Sequence, residues 1–133
     1  MNLDIGIRGS QDFIVNESML AVNVGSGEVR VLATPVLIVS AENTAAASVK
    51  PYLNEGDTTV GTHVNLTHSA ATPCGMAFRV ETELAKISSN GKILNFIVTI
   101  YDEKGLISEG THQRAIVRKA RFEEKANAKM TAK

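Results

Sequence analysis

The chain has 133 residues, 44% of them hydrophobic and 21% charged, which is the size and composition of one soluble globular domain. Its 14 Lys and Arg residues balance 14 Asp and Glu residues, so neither a nucleic acid nor an anionic membrane is expected as the main partner. The single cysteine, Cys74, excludes a disulfide within the chain and disfavours a thiolate zinc site. The first 20 residues lack the pattern of a secretory signal and no apolar run is long enough to span a membrane, so we expect a cytoplasmic protein.

The amino-terminal part of the chain predicts a strand followed by a long helix. Residues 11–24 indicate a strand, or a strand with a break, that ends before a Gly-Ser-Gly segment. Thr34 is a suitable helix N-cap and Pro35 fits the first helical position. A helix is therefore predicted over residues 36–49. Its side chains are apolar or small on nearly every face, which indicates a helix surrounded by protein.

The rest of the chain alternates apolar and polar side chains with the period of two that is typical of β-strands. Four strands are predicted, at residues 59–67, 76–87, 92–101 and 106–117. The Asn-Gly pair at 90–91 is a strong hairpin signal, so the last three strands are expected to form an antiparallel meander. Residues 1–118 are assigned to a single domain, and residues 119–133 to a charged tail that is helical or mobile.

This order of elements predicts an α+β fold in which a curved antiparallel β-sheet wraps around a central apolar α-helix. That arrangement is the hot-dog fold. One chain with so few elements would leave a face of the helix uncovered, so the pattern also predicts a homodimer. Whether two dimers pair into a tetramer is left open by the sequence.

Two residues stand out because their surroundings are unusual for their type. Glu42 lies in the middle of the apolar helix, where an ionised carboxylate is costly unless it is paired or hydrated. It is either a structural carboxylate that reaches a partner or solvent, or a catalytic base or nucleophile. Gly61 lies inside a strand, which indicates either a bulge or a backbone N–H that approaches a ligand closely.

The histidines and the cysteine have less distinctive surroundings. His63, His68 and His112 do not have the spacing of a metal site, so neither a metal nor a cofactor is expected. His68 is structural or catalytic, whereas His112 shares one face of the last strand with Arg114 because the two are an even number of residues apart. Cys74 has no adjacent base and is a weak candidate nucleophile.

The distance between Gly61 and His68 limits where a site that contains both could form. They are seven residues apart, or about 23 Å along an extended strand, so they cannot meet within one chain. If this strand pairs antiparallel with its copy across a two-fold axis, Gly61 of one chain lies near His68 of the other. A site between subunits follows if both residues are functional.

Several short segments occur together in this chain. They are THSAATP at 67–73, GTHQRA at 110–115, KPYL at 50–53 and VGT at 60–62, with Thr34 and Glu42. In this combination, residues 34–117 resemble the fluoroacetyl-CoA-thioesterase-like family of hot-dog thioesterases. The resemblance implies an acyl-CoA thioester hydrolase.

The resemblance also implies roles for five residues. Thr34, Glu42 and His68 would form the catalytic group. Glu42 would attack the thioester carbonyl or activate a water, His68 would act as acid or base, and Thr34 would orient the carboxylate or the acyl group. Gly61 would offer its N–H to the developing oxyanion, and Arg114 would order the site or meet substrate charge. The division of labour between Glu42 and His68 is left open.

The acyl group and the reaction type have alternatives. No aromatic residue lies between Phe13 and Tyr52, although an enzyme that encloses a small fluorinated acyl group would be expected to place one just before the helix. We therefore expect a short-chain or still undefined acyl-CoA rather than fluoroacetyl-CoA. The alternatives are a hot-dog module that binds acyl-CoA without hydrolysing it, and a hot-dog dehydratase or hydratase. The second typically has an Asp/His pair at the helix start, which this sequence lacks.

Overall fold

The computed structural model describes residues 3–131 of the chain. The strands and helices are β1 (Arg8–Ile14), α1 (Ala21–Val24), α2 (Thr34–Val49), β2 (Asp57–Leu66), β3 (Ala77–Ile87), β4 (Ile93–Asp102), β5 (Gly105–Arg118) and α3 (Lys119–Asn127). Short 3₁₀ turns occur at Glu17–Met19, Lys50–Tyr52 and Ala128–Met130. Residues 1, 2, 132 and 133, which belong to the predicted domain and tail, lie outside the described residues. No helix within the described range is long and apolar enough to cross a membrane.

The strands form one antiparallel sheet in the order β1-β3-β4-β5-β2. The three neighbouring strands β3, β4 and β5 are consecutive in the chain, so the predicted meander is confirmed. β2 lies at the edge and pairs with β5, and Gly61 is opposite Arg114 in this pairing. This register brings two of the candidate site residues together.

The helix α2 lies across one face of the sheet. Its inner side buries small and apolar residues, among them Leu37, Ala41, Ala45 and Val49. Its outer side is exposed in this chain, and Val39 retains 57% of its accessible surface. The expectation that a single chain leaves one face of the helix uncovered is therefore confirmed.

Two clusters of buried apolar side chains fill the space between α2 and the sheet. The first contains Val15, Leu20, Leu32, Leu37, Ala41, Phe78, Val80, Val98, Ile100 and Ile107. The second contains Ala45, Val49, Leu84, Leu94 and Phe96. Because these clusters hold α2 against the meander, the position of Glu42 on the helix is determined by core packing.

The prediction of strand structure for residues 11–24 is wrong in its second half. The strand ends at Ile14 and is followed by a 3₁₀ turn and the short helix α1. The side chain of Asn16 accepts a hydrogen bond from the backbone N–H of Ser18, which begins the turn. Gly25 adopts a left-handed conformation with φ of 91°, which ends α1.

The start of α2 also differs from the prediction by one residue. Ala33 is the N-cap, with extended backbone angles, and its carbonyl accepts from the N–H groups of Val36 and Leu37. Thr34 is therefore the first helical residue and Pro35 the second. The hydroxyl of Thr34 is consequently free to make a contact outside the helix.

Candidate active site

The first group of candidate residues lies where α2 crosses β2 and β5. The Glu42 carboxylate is 3.7 Å from Nη1 of Arg114, close enough for an ion pair. The Glu42 side chain retains 37% of its accessible surface whereas that of Arg114 retains 8%. The carboxylate can thus be reached from outside, while the cation that faces it is fixed within the protein.

Gly61 provides the space that the Glu42 carboxylate occupies. A β-carbon built on Gly61 would come within 2.5 Å of Glu42 Oε2, and within 3.5 Å of Arg114 Nη1. The pairing of β2 with β5 shifts register between Gly61 and His63, so the predicted bulge is present. The bulge is therefore present, and the group that approaches this glycine closely is the Glu42 carboxylate; an approach of its N–H to a ligand stays a prediction.

The guanidinium of Arg114 is held by two further residues. Its Nε donates to Thr59 Oγ1 at 2.8 Å and its Nη2 donates to the Thr59 carbonyl at 3.0 Å. Its Nη1 donates to His112 Nε2 at 3.1 Å. Burial lowers the pKa of Arg114, and the charge of Glu42 opposes this effect. A guanidinium with this many fixed donors remains a cation with one orientation.

Thr59 and His112 were not predicted as site residues. Both could have been suspected from the period of two, because Thr59 is two residues before Gly61 and His112 is two residues before Arg114. Thr59 has 8% exposure and His112 has 1%. Both side chains are buried and their hydrogen-bond partners are protein groups. Their contacts therefore do not indicate that either residue binds substrate.

The second group of candidate residues is Thr34 with His68. Thr34 Oγ1 and His68 Nδ1 share a hydrogen bond of 2.7 Å. Burial lowers the pKa of His68, although the backbone of Ala70 opposes the change, so the neutral ring is favoured. Its Nε2 atom is buried and has no hydrogen-bond partner among residues 3–131. An unpaired buried nitrogen is costly, and a catalytic role is one explanation for it.

The two groups lie apart within one chain. The N–H of Thr67 donates to the Glu109 carbonyl, and that of Ser69 donates to the Ile107 carbonyl. His68 therefore lies beside Ser108, six residues along β5 from Arg114 and about 20 Å away. On α2, Thr34 and Glu42 are about 12 Å apart. The structure thus places the five predicted residues in two separate groups, Thr34 with His68 and Glu42 with Gly61 and Arg114.

A cavity of about 290 Å³ lies next to the Glu42 group, between the second half of α2 and the start of β2. It is lined by Asn43, Ala46, Ala47, Lys50, Leu53, Thr58 and Thr59. A larger cavity of about 550 Å³ lies between Gly56 and the start of α3, and it touches none of the candidate catalytic residues. The smaller cavity is lined by Thr59, which bonds Arg114, but by none of the five candidate residues themselves.

Comparison with known proteins supports a thioesterase. The sequence model of the FlK family, described as fluoroacetyl-CoA-specific thioesterase, matches residues 15–120. The fluoroacetyl-CoA thioesterase of Streptantibioticus cattleyicolor is 33% identical over 102 residues, which cover 77% of this chain and 72% of that protein. The chain belongs to the family of fluoroacetyl-CoA-specific thioesterases.

Solved structures agree with this assignment. The fluoroacetyl-CoA thioesterase FlK has a TM-score of 0.90 at 30% identity, covering 97% of this chain and 98% of that one. A mutant of FlK in complex with fluoroacetate and CoA has a TM-score of 0.84 at 28% identity, covering 90% of this chain and 99% of that one. The predicted hot-dog fold and the predicted activity of an acyl-CoA thioester hydrolase are confirmed.

Proposed function

We propose that this family member hydrolyses short-chain acyl-CoA thioesters in the cytoplasm, as a homodimer whose active sites are each completed by both subunits. The observation that carries the proposal is the separation of the two residue groups. The Glu42 group holds a reachable carboxylate beside a fixed cation. The Thr34–His68 pair holds a neutral imidazole with an unpaired nitrogen. Each group is half of what thioester hydrolysis requires.

The edge strand β2 offers a simple way to join the two halves. Its outer edge is unpaired within the described residues, and the strand contains no Lys, Arg or Pro that would discourage pairing. If β2 pairs antiparallel with its copy about a two-fold axis near Asn65, Gly61 of one subunit lies close to His68 of the other. The exposed side of α2, with Val39, would face the same partner.

In this composite site the chemistry is divided between the subunits. Glu42 attacks the thioester carbonyl or takes a proton from the attacking water, and Arg114 orients the carboxylate. The N–H of Gly61 stabilises the negative charge that develops on the carbonyl oxygen. His68, oriented by Thr34, acts as the acid or base that accompanies departure of the CoA thiolate.

The acyl group is proposed to be short and not fluorinated. FlK binds a fluorinated acyl group, but residues 14–51 of this chain contain no aromatic side chain that could close over such a group. The segment between α1 and α2 instead carries small, aliphatic and charged residues, and Val29 in it is 59% exposed. This segment therefore contains no residue that could select for fluorine through an aromatic contact.

The proposal is tested by release of free thiol from a panel of acetyl-, fluoroacetyl-, butyryl-, octanoyl- and phenylacetyl-CoA. We expect the highest kcat/KM with a short unfluorinated ester, and loss of hydrolysis in Glu42→Gln and His68→Ala variants that remain dimeric. Preference for fluoroacetyl-CoA over acetyl-CoA by a factor of ten or more would contradict the proposed acyl specificity. Binding of acyl-CoA without hydrolysis by the unmodified protein would contradict the proposed reaction.

A further inference from the structure

We propose that His112 is a positioning residue for the thioesterase reaction, because its buried ring holds both the bulge that carries Gly61 and the guanidinium that faces Glu42. The inference rests on the proposed function of Glu42. His112 itself is 1% exposed, so it acts through other residues and does not contact the substrate.

The hydrogen bonds of His112 determine its tautomer and its charge. A carbonyl can only accept, so Nδ1 must carry the proton that is donated to the His63 carbonyl at 2.8 Å. A guanidinium can only donate, so Nε2 must accept from Arg114 Nη1 at 3.1 Å. The ring is therefore neutral. This agrees with the lowered pKa of His112, which results from burial and, to a smaller extent, from the charge of Arg114.

The Nδ1 side of the ring holds the β2 bulge. His63 is the first residue after the register shift that begins at Gly61. A bulge leaves backbone groups without regular ladder partners, and the Nδ1–H of His112 satisfies the carbonyl of His63 from the neighbouring strand. The ring thereby fixes the course of the backbone immediately after Gly61.

The Nε2 side of the ring directs Arg114 toward Glu42. One Nη1 hydrogen is used by His112, and Nε and Nη2 are bound to Thr59. The second hydrogen on Nη1 is left for Glu42, whose Oε2 lies 3.7 Å from Nη1. With the other donors fixed, the guanidinium plane cannot rotate away from the carboxylate.

Packing makes the arrangement rigid. The ring of His112 stacks on that of Phe96, with centroids 6.3 Å apart and an interplanar angle of 28°. Phe96 is itself a core residue with 1% exposure. The positions of Gly61 and Arg114 are thus connected to the second core cluster through one imidazole.

Three substitutions at His112 separate hydrogen bonding from packing. His112→Gln retains an acceptor near the position of Nε2, His112→Asn retains a donor near the position of Nδ1, and His112→Leu retains neither. We expect His112→Leu to lower kcat by about 10- to 100-fold, because two buried partners lose their hydrogen bonds. KM should change by less than about threefold, since His112 does not bind substrate. His112→Gln and His112→Asn should each recover part of the lost kcat.

A matched control distinguishes positioning from loss of core packing. Phe96→Leu disturbs the same stack without removing a hydrogen bond, so it should lower the Tm but leave kcat within about threefold. Thr59→Val removes one acceptor for Arg114 and should lower kcat by itself. In the double variant with His112→Leu, the combined loss of kcat should be smaller than the product of the two single losses. If His112→Leu does not fold, Thr59→Val and the Gln and Asn variants carry the test.

Failure of the positioning role of His112 can be distinguished from failure of the proposed function. Unchanged kcat in all three His112 variants, with Glu42→Gln inactive, would overturn the positioning role alone. Equal loss in Leu, Gln and Asn, matched by Phe96→Leu, would show that only packing matters and would also overturn it. Full activity in Glu42→Gln would instead contradict the proposed function.

Discussion

The Glu42 carboxylate occupies the place where any residue other than glycine at position 61 would put its β-carbon, since that carbon would lie 2.5 Å from Glu42 Oε2. The carboxylate lies at the end of a flexible side chain that is 37% exposed, so it would have to move away from an added β-carbon. His112 Cε1 and Arg114 Nη1 would lie 3.3 Å and 3.5 Å from the same β-carbon. The absence of a side chain at Gly61 is therefore a condition for the placement of Glu42.

Gly61→Ala is accordingly expected to displace the Glu42 carboxylate and to lower kcat by about 100-fold or more, because small displacements of a reacting group have large effects on rate. The matched control is Gly27→Ala, where the new β-carbon would meet only Ala21 Cβ at 3.5 Å. Thiol release from acetyl-CoA measures both. Equal activity of the two variants would be evidence against a catalytic position for Glu42.

Thr34 is expected to act through its hydroxyl and not through the helix start, because Ala33 is the N-cap. Thr34→Val removes the 2.7 Å hydrogen bond to His68 and should lower kcat by about 10- to 100-fold. Thr34→Ser keeps the hydroxyl and should remain within about tenfold of the unmodified protein. Steady-state kinetics of both variants decide the question, and similar losses in Val and Ser would point to the methyl group as the important part.

Arg114 should not be replaceable by lysine. Arg114→Lys keeps the charge opposite Glu42 but cannot bond Thr59 and His112 at the same time. We expect kcat to fall by about tenfold or more, and the free energy of unfolding to fall by about 1–3 kcal/mol, because buried acceptors lose their donors. Urea unfolding monitored by circular dichroism provides the second value. Unchanged stability would mean that Thr59 finds other partners.

The stability of the protein should depend on pH through two histidines. Burial lowers the pKa of both His68 and His112 below 6.5. The unfolded chain therefore takes up protons before the folded chain does as the pH falls. The contribution of these groups is fully present above about pH 6.5 and is lost as the pH falls through their lower folded-state pKa values.

The check is the urea midpoint at pH 7.5 and at pH 5.5, a window above the titration of ordinary carboxylates. The midpoint should be lower at pH 5.5. In His112→Gln the decrease between the two pH values should be smaller, since one of the two titrating groups is gone. A decrease of the same size in that variant would show that His112 is not responsible.

The fold could be predicted from local patterns wherever one pattern was clear. The alternation in the last three strands and the Asn-Gly turn at 90–91 identified the meander, which the structure contains. The segment before α2 was misassigned because a short apolar run fits a strand and a buried turn of helix equally well. Leu20, just before α1, forms an isolated antiparallel bridge with Leu32, and this pairing is not visible in the sequence.

The candidate site could be predicted only in part. Glu42, Gly61 and His68 are candidates from their own surroundings in the sequence, and the resemblance to the thioesterase family adds Thr34 and Arg114. The contact of Arg114 with His112, two residues away on the same strand, could have been suspected from the period of two. The contact with Thr59 could not be predicted, because it joins residues that are distant in sequence and depends on the register between β2 and β5.

The most direct test of the composite site is complementation between two inactive variants, Glu42→Gln and His68→Ala. In a heterodimer of the two, one shared site carries both substitutions and the other carries neither. Random mixing of subunits should therefore restore about a quarter of the unmodified activity, since half of the dimers are mixed and each has one intact site. Thiol release from acetyl-CoA measures the recovery, and native mass spectrometry confirms the mixed dimers. Mixed dimers without any recovery of activity would show that Glu42 and His68 work within one chain, and would contradict the composite site.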